Sequence, residues 1–320
     1  MTDKIAVQFR KSLRTRHAFE RLKHCKGCSS YSVLWGDRCL KCGAEGKFVP
    51  LKELTASIHR RNAIRDGLIL GSISLGAFAI AGTFMEMALA LLAGIGLLVG
   101  YVLLNGRYAE AMHRKALYQL LLYENQAIRE GLLLDIDDAA NDLKTDDYKS
   151  AYEKLREIGY LITGNQVKVL KLMCLNHFIL RSDMDLELST VIPEAFDKDF
   201  IRYLTEVCKV SPQLVGRETL NYVVKNRVLI EALPDGREIM ALVAGSALRV
   251  KAYVVQYEEL IADFVDQFPK DRLLRLYRLI QESPSDYLLL YGKVTETVKR
   301  KYGAEPAFQT SAAAGGEADE

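Results

Sequence analysis

The feature that most constrains this chain is an apolar run from Gly67 to Leu104, which contains neither lysine nor arginine. A single straight helix over the run would be about 57 Å long, nearly twice the ~30 Å hydrocarbon core of a bilayer. Two helices that fold back at Gly82–Glu86 fit better, because Gly82 can end a helix and Glu86 is tolerable only near headgroups or water. The sequence therefore predicts a transmembrane helical hairpin over residues 67–104.

Cationic residues flank this hairpin on both sides. Arg60, Arg61 and Arg65 precede it, and Arg107, Arg114 and Lys115 follow it. By the positive-inside rule both flanks belong in the cytoplasm, which predicts a two-span protein of the cell membrane with both termini cytoplasmic. A hairpin that dips into one leaflet, or one buried in a soluble domain, remains open. A cleaved signal peptide is not expected, because the run begins after residue 60.

Four of the six cysteines form two Cys-x-x-Cys pairs, Cys25 with Cys28 and Cys39 with Cys42. Two residues between thiols allow both to bind one tetrahedral metal ion from a tight turn. The sequence predicts a structural Zn²⁺ site, because four thiolates leave no open coordination position. A four-cysteine iron site and a dithiol redox pair are the alternatives.

The stretch Lys23–Val49 resembles zinc-ribbon modules of the rubredoxin-like type, with the pattern CxxC…CxxCG. The resemblance implies a small ribbon at 23–50 and covers no other part of the chain. Unoxidised thiolates also favour a reducing compartment, in agreement with the cationic flanks.

The N-terminal part of the chain is strongly basic, with 15 basic and 5 acidic residues in positions 1–65. Cations alternate with Phe9, Leu13, Phe19 and Leu22, which predicts a basic amphipathic helix over 1–22. The candidate contact residues for lipid or nucleic acid are Arg10, Lys11, Arg14, Arg16, Arg21 and Lys23. A solvated surface, anionic headgroups, nucleic acid and an acidic protein are the competing interpretations, with nucleic acid less favoured than lipid.

After a juxtamembrane linker at 51–66 and the hairpin, residues 107–302 show helical periodicity and predict a cytoplasmic all-α domain of seven or eight helices. The clearest core stripe comprises Tyr253, Tyr257, Leu260, Ile261, Phe264, Val265 and Phe268. Cys174 and Cys208 are predicted core residues, and the aspartate-rich run 135–147 is predicted to be a solvated linker. Leu233–Gly236 is predicted to start a helix and not to turn a β-hairpin. Residues 303–320 are a predicted disordered tail.

The resulting prediction is a mainly α membrane protein with a zinc ribbon, a two-helix anchor and a helical domain. Phosphate-binding glycine loops, HExxH and nucleophile-elbow motifs are absent from the sequence, so we expect no enzyme. The predicted function is a cytoplasm-facing adaptor that binds a protein partner, in addition to anionic lipid. A membrane-tethered nucleic-acid-binding regulator and an enzyme without a local motif are the alternatives.

Overall fold

The computed structural model describes residues 4–12 and 14–308, which are mostly helical with one small sheet. The chain divides into two compact units. The ribbon–hairpin unit comprises Lys11–Lys144 and Lys154–Ile162. The helical unit comprises Met1–Arg10, Thr145–Glu153 and Thr163–Glu320.

The ribbon–hairpin unit begins with a three-stranded antiparallel sheet of order β2-β1-β3. Its strands are β1 (Lys23–Cys25), β2 (Tyr31–Ser32) and β3 (Phe48–Pro50). Three long helices follow: α1 (Leu51–Ile80), α2 (Phe84–Tyr123) and α3 (Asn125–Lys144). The predicted linker 51–66 is thus helical and continuous with the first apolar arm.

The hairpin turns at residues 81–83, as the sequence predicts. Glu86 has a role in this turn: its carboxylate accepts the N–H groups of Gly82 (2.9 Å) and Thr83 (3.1 Å), while Thr83 Oγ1 accepts the Glu86 N–H (3.3 Å). This capping box satisfies backbone donors that would otherwise be unpaired at the start of α2. A charged residue in the apolar run is therefore located at its tip.

The two arms pack antiparallel along their length. At Gly94 an added Cβ would lie 2.8 Å from Ser74 Cβ, so only glycine permits this approach without a shift. Nearer the ribbon, Tyr101 Oη donates to the carbonyl of Ala63 (3.3 Å). Ala63 and Tyr101 therefore lie at one level on the two arms.

The helical unit is built from short amphipathic helices. Of the first of these, α4, only the residues up to Glu153 belong to this unit. Its helices are α4 (Tyr148–Ile158), α5 (Asn165–Leu175), α6 (Lys198–Val210), α7 (Arg217–Lys225), α8 (Arg227–Glu231), α9 (Gly236–Ala247), α10 (Lys251–Gln256), α11 (Glu258–Phe264), α12 (Lys270–Glu282) and α13 (Leu288–Tyr302). The predicted core stripe is confirmed at six of its seven positions, which are buried: Tyr257, Leu260, Ile261, Phe264, Val265 and Phe268. Tyr253 is only partly buried. Cys174 and Cys208 are also buried, as predicted.

Leu233–Gly236 leads into α9, so the helix prediction there is confirmed. The Asp235 side chain, at the N-cap of α9, accepts no capping hydrogen bond from the helix. Gly236 is required at this turn for a different reason: a Cβ on it would lie 2.1 Å from the carbonyl oxygen of Ile230.

The predicted basic helix at 1–22 is wrong in the described residues. Residues 4–12 and 14–17 are not helical, and the one helical turn is a 3₁₀ turn at Ala18–Arg21. Ile5 instead bridges to Phe178, and the Phe9 ring packs on Tyr152 (centroids 4.7 Å apart) and Phe178 (5.4 Å). These long-range contacts outweigh the local helical periodicity; Leu13 lies outside the described residues.

The prediction of a disordered tail is wrong for its first residues, 303–308. Phe308 is 3% exposed and packs on the rings of Tyr277 and Tyr302, which fixes the start of the predicted tail. Residues 309–320 lie outside the part of the chain that the structure describes.

Candidate metal centre

The first cysteine pair lies in a turn that follows β1. The Cys25 N–H donates to the carbonyl of Ser30 (2.8 Å), and the Cys25 carbonyl accepts the N–H of Ser29 (2.9 Å). Ser29 has φ 57°, in the left-handed region that a non-glycine residue rarely adopts. The turn brings the Cys28 thiol back beside Cys25.

The second pair repeats the same design 14 positions later in the chain. The Cys39 N–H donates to the carbonyl of Ala44 (2.9 Å), and the Cys39 carbonyl accepts the N–H of Gly43 (2.8 Å). Gly43, which occupies the position of Ser29 in the first turn, has φ 70°. Two equivalent turns thus present two thiols each to a common point.

The four sulfur atoms have the spacing of a tetrahedral metal site. They all lie within 4.8 Å of one another, with Cys25 Sγ 3.8 Å from Cys42 Sγ and Cys28 Sγ 3.6 Å from Cys39 Sγ. Zn–S bonds of about 2.3 Å at tetrahedral angles place two sulfurs about 3.8 Å apart. A disulfide needs about 2.05 Å, and all four thiols are free. The donor set therefore fits one tetrahedral, thiophilic metal ion.

The thiols differ in how readily they ionise. The N–H of Ala44 holds the pKa of Cys42 below its ordinary value, at about 7, whereas burial raises the pKa of Cys28 to about 12. Four adjacent thiolates also repel one another, so a bound cation is needed to hold all four ionised. Lys26, Lys41 and Lys47 are exposed in the same module and offset the negative charge of a tetrathiolate centre.

With four cysteine ligands, the ion would have no open position for water or substrate. The arrangement can cross-link two turns of a small module; it cannot activate a substrate at the metal. His24, next to Cys25, is not part of the cluster, and its ring packs on Tyr31 with centroids 5.1 Å apart.

The ribbon is held against helix α3 by two close contacts. Gly131 lets the helix approach β2, since an added Cβ would lie 2.1 Å from the carbonyl oxygen of Tyr31. One turn further on, Asp135 is 1% exposed and accepts the Val33 N–H (2.9 Å) and the Ser32 hydroxyl (2.8 Å). Burial raises the pKa of Asp135 to about 7, against the opposing effect of these hydrogen bonds.

The prediction of a solvated linker at 135–147 is therefore wrong for residues 135–144, whereas 145–147 are an exposed turn between α3 and α4. Residues 125–144 are helical, and Asp135, Asp138 and Asp142 have specific partners. Lys154 lies 2.5 Å from a carboxylate oxygen of Asp138 and 2.7 Å from one of Asp142. The sequence run looks solvated because those partners are distant in the chain.

The six predicted contact residues of the basic segment have unlike surroundings. Arg10, Lys11, Arg14 and Arg16 are exposed. Arg21 is 7% exposed, pairs with Glu157 and lies over the Tyr160 ring at 3.7 Å from its centroid. These internal partners leave the Arg21 guanidinium little surface for lipid or nucleic acid, and its predicted contact stays a prediction. Lys23 is half-buried, and its ammonium donates to the Trp35 carbonyl (3.4 Å).

Comparisons of the chain with family models, with curated proteins and with solved structures found no match.

Proposed function

We propose that the protein is a membrane-anchored adaptor whose hairpin holds a zinc ribbon and a helical unit on the cytoplasmic face, where they bind a protein partner. The observation that carries the proposal is the exposed apolar surface of the hairpin. None of the most apolar 18-residue window of α1 is buried, and only 6% of that of α2 is. Leu75, Ile80 and Phe84 are 71%, 86% and 89% exposed.

An apolar surface of this extent is unfavourable in water, whereas a bilayer solvates it. The paired segments Ala63–Ile80 and Phe84–Tyr101 are each about 27 Å long, close to the thickness of the hydrocarbon core. Arg65, which pairs with Asp66, lies in the outermost turn of the first segment, from where its long side chain extends to the headgroups. The capping box at Thr83–Glu86 supports a crossing, because it leaves few polar groups unsatisfied at the tip.

The cytoplasmic orientation is supported by charge and by redox chemistry. Arg60, Arg61 and Arg65 on α1 and Arg107 on α2 lie on the ribbon side of the apolar arms, where the positive-inside rule places the cytoplasm. A tetrathiolate centre also persists best in a reducing compartment.

Zinc is the metal that best fits a closed four-thiolate site with no catalytic position. In this proposal it stabilises a ribbon of only about 28 residues, which has too small a core to fold alone.

The adaptor role is supported by apolar side chains that the helical unit leaves exposed. Val228 and Leu288 are 79% and 81% exposed, and Val224 and Val255 line a shallow groove of about 300 Å³. Exposed apolar surfaces on a folded unit are typical of sites that bind other proteins.

The test is to purify the full chain in mild detergent after cross-linking in its own membranes. We expect the wild-type chain to recover a protein partner. The variants Cys28→Ser/Cys42→Ser and Val228→Glu/Leu288→Glu should each recover less of it. The matched control is Cys174→Ala/Cys208→Ala, which removes two thiols outside the cluster. A true partner must also leave the membrane fraction in cells that lack this chain. Equal recovery by every variant, or partners that stay on membranes without the chain, would contradict the adaptor proposal.

A further inference from the structure

One face of α1 carries two arginines at one end and an apolar surface at the other. Here this surface is called the Arg61 face; it is an open groove of about 500 Å³ lined by Arg61, Ile64, Arg65, Leu68, Ile69, Ser72 and Ile73. These positions recur at intervals of three and four residues, which places them on one side of a helix.

The apolar part of this face has no protein partner among the described residues. Leu68, Ile69 and Ile73 are 67%, 52% and 62% exposed. The Ser72 hydroxyl donates to the Leu68 carbonyl (2.9 Å), so it presents no unpaired donor to an apolar ligand.

The charged end is available to an anion. The Arg65 side chain is 67% exposed, and its one ion pair in the described chain is with the neighbouring, half-exposed Asp66 at 3.1 Å. Arg61 makes no ion pair with any residue that the structure describes. Because Arg61 and Arg65 are one helical turn apart, both guanidinium groups can reach one phosphate.

The dimensions of the Arg61 face match a phospholipid in one leaflet. From Arg61 to Ile73 the helix rises about 18 Å, and half of a ~30 Å hydrocarbon core is about 15 Å. The arginines would lie at the headgroup level while the isoleucine and leucine side chains follow the acyl chain toward the midplane. Charge selects the headgroup, since a net anionic lipid attracts the arginine pair and a zwitterionic lipid does so much less.

We infer that the Arg61 face is a binding site for an anionic phospholipid, with the phosphate between Arg61 and Arg65 and an acyl chain along Leu68, Ile69 and Ile73. The inference rests on the proposed membrane insertion of the hairpin. It assigns lipid contact to α1, separately from the predicted contact of the N-terminal basic segment.

The experiment uses the full chain in phosphatidylcholine vesicles that contain a minor fraction of phosphatidylglycerol. Tryptophan is introduced as Ile73→Trp on the Arg61 face or as Ile95→Trp at a similar depth on α2. Trp35, the only native tryptophan, supplies the background emission from the chain without an added tryptophan. The quenching of tryptophan fluorescence is measured in two vesicle preparations. In one the phosphatidylglycerol carries the bromine labels, and in the other an equal fraction of the phosphatidylcholine carries them.

Each cation near an anionic surface strengthens binding about fivefold, so two predict at least a several-fold preference for brominated phosphatidylglycerol at position 73. We expect no preference at position 95. Arg61→Gln/Arg65→Gln should abolish the preference at 73, whereas the matched Arg107→Gln/Arg114→Gln should leave it intact.

Equal preference at both positions, or a preference that survives Arg61→Gln/Arg65→Gln, would overturn the site. If neither tryptophan is quenched by any brominated lipid, the proposed membrane insertion itself fails. The two failures are therefore distinguishable.

Discussion

Replacing the buried carboxyl of Asp135 by an amide should change how the stability of the ribbon depends on pH. The Asp135 carboxyl is 1% exposed beneath β2, and burial raises its pKa from 3.8 to about 7. The folded state therefore binds its proton more tightly than the unfolded state does. Its contribution to stability is complete below about pH 3.8 and is lost as the pH rises through 7.

The pKa difference corresponds to at most about 4 kcal/mol over the whole range. The pH range from 5.5 to 8 avoids the more acidic solutions in which the metal would be released. Over this range about 2 kcal/mol of the stabilising contribution of Asp135 should be lost. Asp135→Asn resembles the protonated acid: its amide can accept the Val33 N–H and donate to Ser32. Because the amide does not titrate, the free energy of unfolding of the variant should rise relative to that of the wild type by about 2 kcal/mol between pH 5.5 and pH 8.

The assay is urea unfolding of the full chain in detergent, followed by the fluorescence of Trp35. This tryptophan lies two residues after Val33 and so reports on the ribbon where it meets α3. Comparing wild type and variant at each pH cancels the titration of the cysteines, which both share. Asp137→Asn is the matched control, because Asp137 is an exposed aspartate of the same helix. It should leave the pH dependence in this window unchanged. Parallel pH curves for wild type and Asp135→Asn would refute the reasoning.

Three further predictions test the packing and the metal. Purified protein should contain one zinc per chain, and Cys28→Ser/Cys42→Ser should lose it by elemental analysis; zinc retained by that variant would exclude the cluster as its ligand set. Chelation should unfold residues 23–50, seen as a shift in Trp35 emission, with little loss of far-ultraviolet helical signal, because the metal supplies the folding energy of the ribbon alone. Gly131→Ala should destabilise the ribbon by roughly 1–3 kcal/mol, because the added methyl group overlaps the Tyr31 carbonyl. The control Gly96→Ala should not, because the space around Gly96 is open. Equal unfolding midpoints for the two variants would contradict the close approach of α3 to β2.

Features with local causes could be predicted from the sequence. The spacing of Cys25, Cys28, Cys39 and Cys42 predicts a metal cluster, and the structure confirms that the four thiols come together. The apolar run and Gly82 predict a helical hairpin with its turn near residue 82. The capping box Thr83–Glu86 also has a local cause, the T-x-x-E sequence pattern.

Features that depend on distant partners could not be predicted in this way. Phe9 lies in a stretch whose sequence has helical periodicity. Its ring packs on Tyr152 and Phe178, however, and this contact favours a non-helical conformation. Asp135 looks like one acid in a solvated run, yet its partners Ser32 and Val33 lie about 100 positions earlier. Local periodicity and composition contain no information on such pairs.

The same limit applies to the Arg61 face. The cationic flank of the hairpin is visible in the sequence, and it predicts orientation. Arg61 and Arg65 share one side of α1 with an exposed apolar surface. This arrangement depends on the helical conformation of α1 and on which of its faces α2 covers. The sequence alone does not state which face that is.

The most direct test of the membrane-anchored arrangement is the accessibility of single positions to a membrane-impermeant maleimide in intact cells. Phe84→Cys places a thiol at the tip of the hairpin, and Tyr118→Cys places one on the exposed part of α2 beyond the apolar run. We expect labelling at position 84 from outside, and labelling at position 118 only after the membrane is permeabilised. Labelling at position 118 in intact cells would contradict the cytoplasmic orientation, and a position 84 that stays unlabelled would contradict a hairpin that crosses the bilayer.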